Sequence, residues 1–182
     1  VCASGIFLWQ YNLVPFFVNA QVNKAQRLVL QKNCGDGMAL MEKTLKSHSM
    51  LDSYVRLEYV DFAKTCADFY PQNELSYKKR GLDVISEAIK IQPSYTRYWI
   101  FMGATADDLA AQEKDATVKT NLIAAAEGYL KKASELAPQH LEIIMEQARL
   151  ALTKGDYALA EQYARRCMAL NSNPNGCYFY LG

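Results

Sequence analysis

The chain has 182 residues, 51% of them hydrophobic, which is enough apolar material for a continuous core between packed layers. Its 20 basic and 19 acidic side chains leave a formal net charge of +1, so nothing in the balance points to nucleic acid or to a strongly anionic surface as partner. Only 9 glycines and 5 prolines punctuate it, and most of them fall where helices should end.

Residues 1–13, VCASGIFLWQYNL, open the chain as an apolar run that includes Trp9 and Tyr11 and then meets Pro15. The run is too short to cross a bilayer, which takes about 20 apolar residues, and it lacks the charged start of a signal peptide. Two readings stand side by side. It is either the outer end of a membrane helix, with Trp9 and Tyr11 at the interfacial belt, or a buried first helix that packs on the end of the fold. Through Ile6, Phe7, Leu8 and Trp9 it could also be the contact by which one subunit grips another. Residues 1–14 are therefore set apart from residues 15–182.

From Pro15, a residue suited to a first helical turn, residues 15–32 fit a helix that Asn33-Cys34-Gly35-Asp36-Gly37 breaks. Residues 38–47 form a shorter partner, with Met38, Met41 and Leu45 as core filler. A longer helix follows over 52–69, carrying Tyr59, Phe62, Ala63 and Cys66 inward, and Tyr70-Pro71-Gln72-Asn73 ends it. Residues 74–91 supply its partner, with Leu82, Ile85, Ala88 and Ile89 inward. Gln92-Pro93 closes that unit, since proline cannot continue the preceding helix.

Residues 94–113 and 116–136 make a lengthened pair, separated by Ala137-Pro138-Gln139 from residues 141–174. In this last stretch Ile144, Ala148, Ala151 and Leu152 recur at the i, i+4, i+7, i+8 spacing of one helical face. Tyr157, Ala160, Ala164, Cys167 and Leu170 do the same in the second half. Between them stands Lys154-Gly155-Asp156, where glycine ends one helix in the left-handed conformation and Asp156 caps the next. Residues 175–182 hold only the opening of a further first helix, which leaves Tyr178, Phe179 and Leu181 without a second helix to cover them.

These pairs repeat. Ala126 to Ala160, Leu130 to Ala164, Ala133 to Cys167 and Leu136 to Leu170 are each 34 residues apart. One step upstream the offset becomes 45, as in Trp99 to Ile144, Gly103 to Ala148, Ala88 to Ala133 and Pro93 to Pro138. The extra 11 residues amount to about three helical turns, so the upstream unit reads as the same repeat with both helices lengthened. The 34-residue period, the Gly-x-Tyr-like turn and the small residues in both helices resemble the tetratricopeptide repeat. That resemblance implies an all-α fold, a right-handed solenoid of antiparallel helix pairs with about four units and a partial fifth.

A wider likeness rests on LWQYNLVPFFVNAQVNKAQ, EKTL, SEAIKIQPSYTRYWIFMG and KKASELAPQHLEI. Together with the apolar start, they resemble the tail of the bacterial O-antigen ligase and polymerase family, in which membrane helices precede an extracytoplasmic array of such repeats. The motifs belong to the repeat array and carry no glycan chemistry. The likeness implies an extracytoplasmic or cell-surface address and a tether, not an activity.

No catalytic constellation emerges. His48 and His140 sit in predicted turns among polar residues, and no phosphate loop, zinc-protease signature or nucleophile elbow occurs. Asp107-Asp108 and the pair Glu142 and Glu146 fit exposed helical stripes. No enzyme activity, cofactor or metal is expected. Among the 5 cysteines, Cys167 and Cys177 flank Ser172 symmetrically and would face each other across a hairpin, within disulfide reach. Cys34 and Cys66 form a second possible pair, with Cys2 left over. The competing reading makes Cys66 and Cys167 small buried apolar residues.

The first helices of such a fold line its binding groove. By register the side chains expected to meet a partner are Arg97, Ile100 and Asp107 in the third unit and Glu142, Met145 and Arg149 in the fourth. The expected function is a protein-interaction scaffold of the cell envelope whose partner is a protein or peptide. The alternative is a structural subunit that binds its own copies head to tail, its apolar start meeting Tyr178, Phe179 and Leu181, to make an extracellular filament.

Overall fold

The computed structural model describes residues 7–47, 49–170 and 177. Among them the fold is all-α, with eight helices and no strand: α1 (Val14–Leu30), α2 (Cys34–Thr44), α3 (Asp52–Phe69), α4 (Glu74–Ile91), α5 (Thr96–Gln112), α6 (Ala116–Leu136), α7 (Leu141–Thr153) and α8 (Tyr157–Leu170). They fall into two compact units, Val1–Ala88 and Ile89–Gly182.

In the first unit Pro15 stands in the first turn of α1, as its sequence suggests, with further helix ahead of it. The helix runs through it, and Trp9–Leu13 forms a π-helical turn in which the Val14 N–H donates to the Trp9 carbonyl. Proline has no N–H to donate and its ring crowds the carbonyl four residues back, so the turn ahead of it widens instead of ending. The real break lies at Gln31–Asn33, where Lys32 takes a φ of 62°. Asn33 then caps α2 by accepting from the Asp36 N–H, which places Gly35 and Gly37 inside the helix. Gly37 is there for space: a Cβ on it would lie 2.8 Å from Val29 Cγ2 and 3.3 Å from the Ala25 carbonyl.

That turn is fastened to the far end of α3. The Cys34–Cys66 disulfide joins the first turn of α2 to the last turns of α3, with the Cα atoms 5.8 Å apart. Tyr70 Oη donates to the Lys32 carbonyl at 2.6 Å, and the Lys32 ammonium lies over the Phe69 ring. A loop of this length closed by a disulfide removes roughly 3–4 kcal/mol of unfolded-state entropy. The core beneath is built from Val18, Val22, Ala25 and Val29 of α1, Met38 and Met41 of α2, and Tyr59, Phe62, Ala63 and Cys66 of α3. Arg56 is buried among them; it donates to Asp52 and to the Val84 carbonyl of α4, its charge answered by Asp52 and Glu87. On the rim of the same helices, Arg80 pairs with Glu42 through two bonds of 2.8 and 3.0 Å, and Tyr59 Oη donates to the same carboxylate.

The second unit holds two successive helix pairs, and its register matches the sequence offsets. Ala126 and Ala160, Leu130 and Ala164, and Ala133 and Cys167 are all buried, whereas Leu136 and Leu170 both lie toward solvent. Both pairs turn through three residues that end in an aspartate. Asp115 accepts from the Thr117 and Val118 N–H groups, and Asp156 accepts from the Leu159 N–H after Gly155 at φ 76°. The 11 additional residues are divided between the helices: 17 in α5 against 13 in α7, and 21 in α6 against 14 in α8. Helix α7 packs on both helices of the preceding pair, as α3 does on α1 and α2 in the first unit.

Close approach in the longer pair rests on one contact. A Cβ on Gly103 of α5 would lie 2.7 Å from Cγ and from Cδ2 of Leu130 in α6, a side chain that is itself fully buried. In the next pair the matching positions are Ala148 and Ala164, so bulk lost from one helix is returned by the other. Gly103→Ala should lower stability by about 1–3 kcal/mol through overpacking, and Leu130→Ala by about 2–5 kcal/mol through the cavity it leaves. The double variant should lose clearly less than the sum. Denaturant unfolding of the four proteins tests this, and strictly additive losses would remove the contact from the account.

Candidate functional site

The side chains singled out on the first helices of the second unit divide into two groups. Arg97 is exposed, and Glu142, Met145 and Arg149 are partly so. Ile100 and Asp107, expected to meet a partner, are each only 2% exposed. Ile100 is a core residue packed with Ala133 and Ile143, a correction that follows from α7 lying on α5 and α6 and so covering that side of α5. Met145 touches the cluster of Ile144, Cys167 and Cys177 while keeping part of its surface free.

Asp107 turns inward toward a charge cluster that joins α5 to α7. Arg149 bonds to Asp108 and, through Nη2, to the Ala104 carbonyl at 3.0 Å. The same Nη2 lies 2.7 Å from Glu146 Oε2, and Nε lies 3.2 Å from Asp107 Oδ2. Neither Nε nor Glu146 Oε2 is aligned for a hydrogen bond, and Asp107 Oδ1 is buried with no hydrogen-bond partner. One guanidinium thus faces three carboxylates. Arg97, two turns before Ala104, and Glu142, two turns before Arg149, extend this face by helical spacing.

Burial sets the titration of the cluster. It pushes the carboxyl of Asp107 above its ordinary range, which Thr153 and Arg149 beside it offset only in part. Burial does the same to Glu146, with Arg149 opposing and the neighbouring Asp108 adding to it. For Arg149 burial works against the charge, but Glu146, Asp108 and Asp107 outweigh it and hold the group above its usual value. Sequence spacing finds these residues on one face but not their depth, because depth depends on how α7 crosses α5.

A second feature lies on the other side of α7. A groove of about 430 Å³ opens between α6, α7 and α8, floored by Leu130, Leu150 and Ala151 and edged by Glu127, Lys131, Glu135 and Lys154. Glu127 and Lys154 close one end of it as an ion pair at 2.5 Å, and Gln147 turns a buried, unbonded side-chain oxygen there. Among the described residues no set of three His, Cys, Asp or Glu side chains converges as metal ligands do.

The N-terminal helix presents a different surface. Phe7, Leu8, Trp9, Tyr11, Leu13, Phe16 and Phe17 are all exposed, Trp9 by 58%. They point in every direction around the helix axis, which rules out one apolar stripe seated on the unit's own core. Among the described residues no helix is long and apolar enough to cross a membrane. Cys167 and Cys177 form a disulfide, and Cys177 is buried against Ile144. Ile6, His48, Tyr178, Phe179 and Leu181 lie outside the described residues.

No family model and no curated protein matches this chain. Among solved structures it is similar to a thermophilic TPR protein of Thermus thermophilus, with a TM-score of 0.66 and 16% identity, covering 91% of this chain and 83% of that one. The fold is therefore that of a tetratricopeptide-type helical solenoid. None of these comparisons brings in the O-antigen ligase family.

Glu146 gives the cluster a measurable signature. Its folded pKa stands above its ordinary value of 4.5, so the folded state holds the proton more tightly than the unfolded one. The resulting stabilisation is complete below the unfolded value and is lost as pH rises through the folded one. Relative to Glu146→Gln, the wild type should gain stability as pH falls from neutral toward 4.5. Urea unfolding of both proteins across that range tests this, and a difference that stays flat or runs the other way would contradict the assignment.

Proposed function

We propose that this chain is a non-enzymatic protein-interaction scaffold of the cell envelope, and that the α5–α7 face takes a protein or peptide partner. The observation that carries the reading is the pairing of α5 with α7. Two first helices lie side by side, locked by Arg149, with Arg97 and Glu142 at the solvent edge and Met145 partly exposed between polar neighbours. A rigid pair of helices presenting charged and apolar side chains in fixed register is suited to reading an extended or helical segment.

An extracytoplasmic address is supported by Cys34–Cys66 and Cys167–Cys177, since such bridges persist in oxidising compartments. The exposed aromatic helix supports a position next to a membrane, where Trp and Tyr collect. The O-antigen ligase likeness of the sequence joins this proposal as the envelope system to which such a scaffold would belong.

Peptides selected from a random displayed library on the whole chain test the partner face. The Arg97→Glu, Glu142→Lys variant should bind the selected peptides at least about tenfold more weakly. A Lys114→Glu, Glu161→Lys control should bind them as the wild type does. Equal binding by all three proteins would move the partner site elsewhere.

A second reading is favoured by the seven exposed apolar residues of the N-terminal helix: the chain is a structural subunit that assembles with its own copies into a filament. Under it, light scattering should grow with protein concentration, and Trp9→Asp, Phe16→Asp should abolish the growth. A wild type that stays monomeric at all concentrations would reject it.

A further inference from the structure

We propose that the helix leading into the first unit is a lipid anchor: residues 7–17 enter one leaflet of a bilayer end-on, and Lys24 and Arg27 settle on anionic headgroups at its surface. The inference rests on the membrane-side position argued above and names the lipid chemistry that position leaves open.

Shape is the first argument. The helix is continuous from residue 7 to Leu30, and its character changes once along its length. From Val18 onward, Val18, Val22, Ala25 and Val29 bury one stripe in the unit's core, while Asn23, Lys24 and Arg27 face solvent. Before Val18, the seven exposed apolar side chains between Phe7 and Phe17 surround the axis. A flat protein surface covers one side of such a cylinder, whereas a bilayer encloses it. Eleven residues reach about 16 Å, roughly half of the hydrocarbon layer of a bilayer, so this part enters without crossing. The indole N–H of Trp9, the hydroxyl of Tyr11 and the amides of Gln10 and Asn12 need polar partners, which holds the helix near the headgroup boundary.

Charge is the second argument, and it chooses the lipid. The first 23 residues carry no charged side chain; the next charges are Lys24, Arg27 and Lys32, and the first acid is Asp36. Lys32 is engaged over the Phe69 ring. Lys24 and Arg27 are exposed, and among the described residues no carboxylate answers either of them. Both continue the outward line of Leu13, Phe17 and Ala20, at steps of three or four residues. Lys24 follows Phe17 by two turns, about 10 Å. Side chains on a helix lean toward its N-terminus, so these two lean toward the inserted end, stems along the apolar surface and charges at headgroup level.

Flotation of the whole chain with phosphatidylcholine vesicles, pure or mixed with phosphatidylglycerol, tests this. The wild type should bind both kinds and prefer the anionic ones by about tenfold at low salt. Lys24→Gln, Arg27→Gln should keep binding to the neutral vesicles and reduce the preference to less than about twofold. All four positions substituted in these tests are exposed, and circular dichroism checks that each variant keeps its helix content. Lipids brominated on the acyl chain should quench wild-type fluorescence, and Trp9→Phe, which leaves Trp99 as the remaining tryptophan, should lose that quenching. Binding to both vesicles with no anionic preference, or a preference that survives Lys24→Gln, Arg27→Gln, would overturn the headgroup assignment and leave the membrane-side position standing. Anionic binding that leaves Trp9 unquenched would overturn the insertion. A wild type that binds neither vesicle and instead scatters light in proportion to its own concentration would overturn both and give this surface to a second copy of the chain.

Discussion

The approach of the antiparallel helices in the pairs α1–α2, α5–α6 and α7–α8 depends on small residues placed where the axes come closest. Gly103 against Leu130, Gly37 against Val29 and the Ala25 carbonyl, and the buried alanines 126, 148, 160 and 164 occupy those points. A Cβ more or less at any of them moves a helix that the next pair is built upon. The α7 contact with both preceding helices and the placing of Arg149 over Asp107 follow from that spacing.

Much of this was legible in the sequence, and particular residues show why. The offsets of Ala126, Leu130 and Ala133 to their counterparts are periodic because each buried face recurs once per helix pair, and periodicity is what sequence records best. Gly155 and Asp156 were readable because a left-handed glycine and a capping carboxylate act locally. Lys32 in the left-handed region was not, since a lysine gives no local signal and is held there by Tyr70, 38 residues on, and by the neighbouring Cys34, whose bridge to Cys66 spans 32 residues. Pro15 was readable as a first-turn residue because that signal too is local, whereas nothing local marks the π-helical turn ahead of it.

The same division explains the residues that spacing singled out on the first helices. Spacing put Asp107, Glu142 and Arg149 on the first helices, which is a property of one helix at a time. Whether Ile100 or Asp107 then reaches solvent depends on where α7 crosses α5, and that crossing is not written in either segment alone. Arg56 is the parallel case in the first unit. A buried arginine looks like surface in sequence until the Val84 carbonyl and Asp52 are seen to receive it. In both units the charged residues that bridge helices are the ones a single-helix reading misplaces.

The uneven lengths of the two later pairs carry a consequence of their own. Four residues added to one helix and seven to the other rotate its face by only about 40° and 20°, because each is close to a whole number of turns. Growth of the chain is in effect quantised: increments of three, four or seven keep the oily side turned inward, while two or five would swing it into water. A designer wishing to widen or narrow this scaffold has a ruler already marked on it.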